Sequence, residues 1–286
     1  MTKVPPDGSM RRGRFVGDAI AHVFLSVACI VVLVPFAYLL SVSLRPFRDI
    51  LSGRFLVPLD FTSYRALLAG GASFPSLLLN SVVIALAATV ACMFIGALGA
   101  YGISRFYWSP WIPRTLLGWL VVVQTLPAIA MVGPFYSIGI ELGLYNTRTL
   151  LVLVYVAINL PLVTWLMIAY YQSVPRELEE AAIVDGASWA HVFFRVVLPL
   201  STPAIAASGV LAFIFSWKEF LLALSLTSTP TAMTLPVGIA GFVQDYNIEY
   251  GMMSAAASIA VIPGLLLAAF AQRYIVAGLT SGSVKS

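Results

Sequence analysis

The sequence predicts an all-α polytopic membrane protein with six transmembrane helices. Composition gives the first reason. Of 286 residues, 60% are hydrophobic and only 10% charged, where a soluble domain carries roughly 25% charged residues, and the mean hydropathy is +0.95. The second is the length of the apolar runs: six reach the roughly 20 residues that a bilayer-crossing helix needs. The third is their punctuation, since one polar interval of helix-forming sequence, 173–200, interrupts the apolar second half of the chain.

In order, the expected spans are about 19–44, 77–103, 112–140, 149–171, 199–226 and 252–276. The first is entered after Arg11, Arg12 and Arg14. An even number places both termini on one side, and lysine and arginine are enriched on the cytoplasmic side of spans. With the N-terminus inside, Lys3, Arg11, Arg12, Arg14, Arg105, Arg114, Arg176, Arg195, Arg273 and Lys285 fall inside, against Arg45, Arg48, Arg54, Arg65 and Arg148 outside. Both termini and the 173–200 interval are therefore expected to be cytoplasmic. The four arginines of the first external loop run against this count. The net charge of +4 speaks of topology, not of a nucleic-acid partner.

Helices in lipid meet through small residues. The second span carries Ala88, Cys92, Gly96, Ala100 and Ser104 at spacing four, the fifth Ala204, Ser208, Ala212 and Ser216, and the sixth Ala260, Gly264 and Ala268. These stripes predict close packing of spans two, five and six; a channel lining is the other reading. Pro127, Pro134 and Pro161 interrupt spans three and four, and proline bends a helix by freeing a carbonyl. Asn159, just before Pro161, is a candidate for a pathway contact or an interhelical hydrogen bond. Lys218 and Glu219 sit within the fifth span, where buried charge pairs or faces a wet cavity. They are read as a pathway or gate lining, or as an ion pair to another helix or subunit. The last external loop, 227–251, holds Asp245, Tyr246, Glu249 and Tyr250 and no lysine or arginine, which suits contact with an external partner or plain solvation.

Cys29 and Cys92 lie in apolar runs and are expected to be buried, packing as small hydrophobes. The chain has no Gly-Lys dipeptide, hence no GxxxxGK[ST] cradle, and no HExxH or GxSxG motif. No catalytic residue, bound metal or cofactor is expected on this chain.

The 173–200 interval has its own punctuation. Pro175 suits a first helical turn, and Glu177, Glu179 and Glu180 suit the positive end of a helix dipole. Leu178, Ala181, Ala182 and Asp185 fall on one face at helical spacing. Gly186 suits a left-handed terminus, and Ser188 a second N-cap. The expectation is a short helix, a turn and another helix.

These residues resemble a known family. Glu180-Ala181-Ala182, Gly186 after three residues, and Val196, Leu198 and Pro199 after nine more resemble the EAA signature of binding-protein-dependent ABC importer permeases, with Val196 where the pattern has Ile. Asp185-Gly186-Ala187 resembles the DGA of the carbohydrate-uptake branch. Trp217-Lys218-Glu219-Phe220 resembles its W-N-[DE]-F, with Lys218 in place of Asn. Gly278, Leu279, Thr280, Ser281, Gly282, Ser283, Val284 and Lys285 resemble the GLT-x-G-x-VK ending of maltose-transporter G-type subunits, and Asn80-Ser81 fits as well.

The resemblance implies the type I ABC importer permease fold in a bacterial inner membrane. A cytoplasmic segment, 1–18, precedes a transmembrane permease domain, 19–286, containing the coupling loop 173–200 and a tail, 277–286. It implies a homologous second permease subunit, two ATPase subunits holding ATP and Mg, an extracytoplasmic solute-binding protein, and surrounding membrane lipid. The ATPase-coupling residues would be Glu179, Glu180, Ala181, Ala182, Asp185, Gly186, Ala187 and Ser188. Asn159, Trp217, Lys218 and Glu219 would face the pathway or gate. Asp245, Tyr246 and Glu249 would meet the binding protein, and Gly278, Leu279, Thr280 and Gly282 the ATPase interface. Lys218, a cation where the family has an amide, is the departure. The rival reading is a stand-alone ion-coupled carrier or channel, in which 173–200 is an ordinary amphipathic loop.

Overall fold

In a bilayer each backbone N–H and C=O must be paired within its own segment, which selects helices, and helices dominate the structure. The computed structural model describes residues 8–54, 57–69, 73–244 and 247–281. The elements are α1 (Gly8–Ser43), α2 (Phe47–Leu51), α3 (Thr62–Ala69), α4 (Ser73–Arg105), α5 (Trp111–Thr125), α6 (Ala128–Glu141), α7 (Arg148–Ser173), α8 (Glu177–Val184), α9 (Trp189–Val192), a π-helical turn (Phe193–Val197), α10 (Leu198–Leu200), α11 (Thr202–Trp217), α12 (Leu221–Leu226), α13 (Leu235–Ala240) and α14 (Tyr250–Ser281). Two two-residue strands, Val243–Gln244 and Asn247–Ile248, precede α14. Among the described residues four helices are long and apolar enough to cross a membrane, and the number reaches six if each of two bent helix pairs is one span.

The bent pairs correct the third and fifth expected spans, which are not continuous helices. α5 and α6 meet at 100°. Leu126 is extended there (φ −65°, ψ 127°), as a residue before proline is driven to be, and Pro127 opens α6. The run Trp189–Leu200 meets α11 at 76°. Pro203, the second residue of α11, has no N–H to give and its ring crowds the carbonyl four residues back. The fifth span stops again at Trp217, and α12 starts afresh at Leu221.

The chain divides into two compact units. One holds α1, α2, α3 and α14 as far as Ile259; the other holds α4 to α13 and α14 from Ala260. In the first, every residue from Gly17 to Tyr38 is exposed, Cys29 among them, which leaves a long apolar surface. Arg45, one of the four arginines that ran against the charge count, is buried. Its Nε donates to the Ser41 carbonyl (3.1 Å) and Nη1 to the Arg54 carbonyl (3.0 Å), and its guanidinium lies 5.8 Å from the Tyr38 ring centre. It closes the turn after α1.

In the second unit α7 is the central helix, packed against α4, α5 and α11. The small-residue stripes of α4 and α11 serve it. Ala88, Cys92, Gly96 and Ala100 are buried, as are Ser208, Ala212 and Ser216. A Cβ on Gly96 would stand 2.8 Å from Val163 Cγ1, so only glycine admits α7 this close. The core joins small residues of α4 and α11 to Val163, Met167, Ile168 and Tyr171 of α7. On the sixth span a Cβ on Gly264 would meet nothing within 4 Å, so no close approach requires glycine there.

Candidate functional site

The polar interval folds as a helix, a tight turn and a second helix. α8 opens with three glutamates and ends at Gly186, whose φ of +87° lies in the left-handed region. The Gly186 amide returns to the Ile183 carbonyl (2.9 Å) and the Ala187 amide to Ala182 (3.0 Å), the paired closure that a left-handed residue permits. Nothing lies within 4 Å of a Cβ built there, so glycine is needed for its backbone conformation, not for space. Ser188 caps α9, accepting the His191 amide at 3.3 Å.

The two flanking glutamates take opposite directions. Glu180 is exposed, with Ala181, Asp185, Gly186 and Ser188; Ala182 and Ala187 are half-buried; Val184 stands 86% exposed. Glu179 is turned inward and buried. Its Oε1 lies 2.6 Å from Arg105 Nε, a charge contact without hydrogen-bond alignment, and its Oε2 accepts the Tyr101 hydroxyl at 2.8 Å. Arg105 also donates to the Val174 carbonyl (2.9 Å), and Arg176 to the Ser104 carbonyl (3.1 Å). Tyr101 packs edge-on against Tyr171, 5.9 Å between centres. An exposed face thus points outward on α8, with a buried ion pair beneath it.

A second polar group sits where the two helix breaks meet. A cavity of ≈410 Å³ is lined by Gln124 and Leu126 at the α5–α6 break, by Lys218, Glu219 and Phe220 at the α11–α12 break, and by Asn159 and Phe215. The Glu219 carboxylate accepts the amides of Leu222 (2.8 Å) and Ala223 (3.0 Å) and the Tyr155 hydroxyl (3.0 Å); it caps α12 and ties it to α7. Asn159 donates to the Tyr155 carbonyl (2.8 Å) and to Ser216 Oγ (3.2 Å), a bridge from α7 to α11. Lys218 is exposed, its Nζ 4.5 Å from the Phe215 ring centre. Trp217 does not line this cavity; it stacks on Phe213 at 5.7 Å and donates to the Ala260 carbonyl at 3.1 Å.

The long loop after α12 is stitched to the starts of α4 and α7. Asn146, left-handed at φ +58°, accepts the amides of Ser228 and Thr229 at 2.9 and 3.1 Å. Asn80 donates to the carbonyls of Pro230 (2.9 Å) and Met233 (2.8 Å), and Ser81 accepts the Leu235 amide (2.6 Å). Glu249 is half-buried beside Arg45, Ser63 and Gly251. Asp245, Tyr246 and Gly282 lie outside the described residues, and Gly278, Leu279 and Thr280 belong to the last turns of α14.

Sequence reasoning missed Tyr101, Arg105 and Tyr155. Arg105 was read only as a topology charge; its place at the end of a span, facing a polar interval rich in carboxylates, was the available signal.

These features define an integral membrane subunit with an exposed helix–turn–helix between two of its spans. Residues 92–281 match the family described as binding-protein-dependent transport system inner membrane component, and the chain belongs to that family. It is 37% identical over 257 residues to the trehalose transport system permease protein SugB of Mycobacterium tuberculosis, covering 88% of this chain and 92% of that one. It is 39% identical over 215 residues to the trehalose/maltose transport system permease protein MalG of Thermococcus litoralis, covering 74% and 76%. A chain of a bacterial ABC transporter involved in import of the acidic polysaccharide alginate shares the fold, with a TM-score of 0.76 at 22% identity over 95% of this chain and 99% of that one. The chain is a multi-pass component of the inner membrane with the fold of ABC importer permeases.

Proposed function

We propose that this chain is the permease subunit of an ATP-driven importer for a sugar or related polyhydroxy solute, with trehalose-type disaccharides the first candidates. It pairs with a homologous permease around the pathway. Two ATPase subunits bind ATP and Mg and dock on the α8–α9 loops, and an extracytoplasmic solute-binding protein delivers solute on the other side. Both termini are cytoplasmic. ATP-driven closure of the ATPase dimer draws the paired loops together and switches the pathway between inward- and outward-facing states. α14 extends through Gly278, Leu279 and Thr280 toward the ATPase side, and the 227–251 loop faces the binding protein.

The observation that carries this reading is the exposed α8–Gly186–α9 unit, with Glu180, Ala181 and Asp185 outward on a membrane core that has no nucleotide cradle of its own. The names of the relatives support the solute class. The test is purification of the tagged chain from membranes expressing its neighbouring transport genes. An ATPase chain is expected to co-purify, and uptake into vesicles to require ATP. Uptake by this chain alone, driven by an ion gradient, would establish the carrier instead.

A further inference from the structure

We infer that Arg105 and Glu179 are positioning residues for coupling: they fasten α8 to the ends of α4 and α7, so that a load on α8 moves both spans together. The inference rests on α8 being the ATPase-docking element. Only residues 174–176 join α7 to α8, and an unsupported linker of this kind would bend under load. Two arginines cross it in opposite directions. Arg105, the last residue of α4, reaches the Val174 carbonyl at 2.9 Å and Glu179 at 2.6 Å. Arg176, inside the linker, reaches back to the Ser104 carbonyl at 3.1 Å.

Tyr101, one turn before Arg105, takes the second carboxylate oxygen at 2.8 Å, so both oxygens of Glu179 are held by α4. Glu179 is 4% exposed and Arg105 8%. Burying two charges costs desolvation that their attraction barely offsets, and an apolar pair often serves stability as well. What the pair adds is a defined position. Residue 179 needs a carboxylate that the Arg105 charge and the Tyr101 hydroxyl of α4 can hold, whereas the neighbouring Glu180 points to solvent. The other flank of the segment packs on the same core, with the Phe193 and Tyr101 ring centres 4.9 Å apart, before leaving through the 76° bend ahead of α11; the charged fastening is confined to α8.

The full chain in nanodiscs, alone and with its ATPase and binding-protein partners, tests this. In Glu179→Gln and in Arg105→Gln, amides 177–187 are expected to exchange with deuterium about 10-fold faster, those of 150–168 being unchanged. The double variant should be no faster than either single within about twofold, because one interaction can be lost only once. In the complex the ATPase subunits stay bound while solute moved per ATP falls about fivefold or more, a loss of coupling that general destabilisation does not produce. Glu180→Gln should weaken ATPase capture and leave exchange unchanged.

Unchanged exchange, or an additive double variant, would overturn the inference, as would loss of ATPase binding in Glu179→Gln without faster exchange. Failure of the unaltered chain to capture any ATPase would sink the proposed function instead, while the exchange pattern still decides the fastening. Should the glutamine variants fail to insert, Tyr101→Phe, which removes one hydrogen bond, decides it by accelerating the same amides about threefold.

Discussion

Arg105 at the end of α4 and Glu179 in the first turn of α8 form a 2.6 Å ion pair with both side chains 5% exposed. Removing one partner strands the other charge out of water. Glu179→Ala is expected to destabilise the protein by about 3–5 kcal/mol. Glu180→Ala, its exposed neighbour, should stay within about 0.5 kcal/mol. Thermal unfolding in detergent measures both, and equal losses would contradict the opposite orientations of the two carboxylates.

At Gly186 the demand is on the backbone. A residue with a Cβ at φ +87° costs roughly 1–2 kcal/mol. Gly186→Ala is therefore expected to loosen α8 and α9 by that amount, and Gly186→Asn by less, asparagine being the more tolerant of this region. Gly186→Pro, whose ring holds φ near −65°, should abolish uptake while leaving membrane insertion intact. Quantified transport and membrane abundance separate these outcomes, and uptake surviving the proline would remove α8–α9 from coupling.

The roles of Lys218 and Glu219 should separate cleanly. Glu219→Ala leaves two amides and the Tyr155 hydroxyl without their acceptor. Each hydrogen bond to a charged group is worth about 1.5–3 kcal/mol, so a loss of several kcal/mol is expected. Lys218→Ala gives up a cation–ring contact worth about 0.5–1 kcal/mol, with little change in melting temperature. Its effect is expected in the concentration dependence of uptake, since Lys218 lines the cavity.

Gly96 and Val163 form a matched pair. Gly96→Ala drives a methyl to 2.8 Å from Val163 Cγ1 and should cost about 1–3 kcal/mol by overpacking. Val163→Ala alone opens a cavity. The double variant should be more stable than the sum of the two losses allows, and a double-mutant cycle reads the difference.

Much of this was legible beforehand for local reasons. Spans were visible because about 20 apolar residues are a statement about bilayer thickness. Gly186 and Ser188 were placed correctly because a left-handed terminus and an N-cap are properties of one or two residues. The 100° break at Leu126 was not read from hydropathy, because the apolar run continues through it. Pro127 signalled a bend, but its size depends on what packs around it. Glu179 and Glu180 are chemically identical, and neighbours on a helix point about 100° apart; which one turns inward is decided by Arg105 and Tyr101, far away in sequence. Glu219 was read as a charge within a span, yet α12 begins two residues later and uses it as a cap. Its apolar sequence LLALSL hid the new start.

The exposure of α1 has a mechanical consequence. The apolar part of the helix, Gly17–Ser43, is 27 residues long, about 40 Å at 1.5 Å per residue, while a bilayer's hydrocarbon core is about 30 Å. The excess is taken up by leaning, by bending at Pro35, or by thickening the lipid around it, each at a fraction of a kcal/mol per Å of mismatch. Because Gly17 to Tyr38 stand exposed, membrane thickness and whichever neighbour lies beside the helix act directly on the attitude of α1.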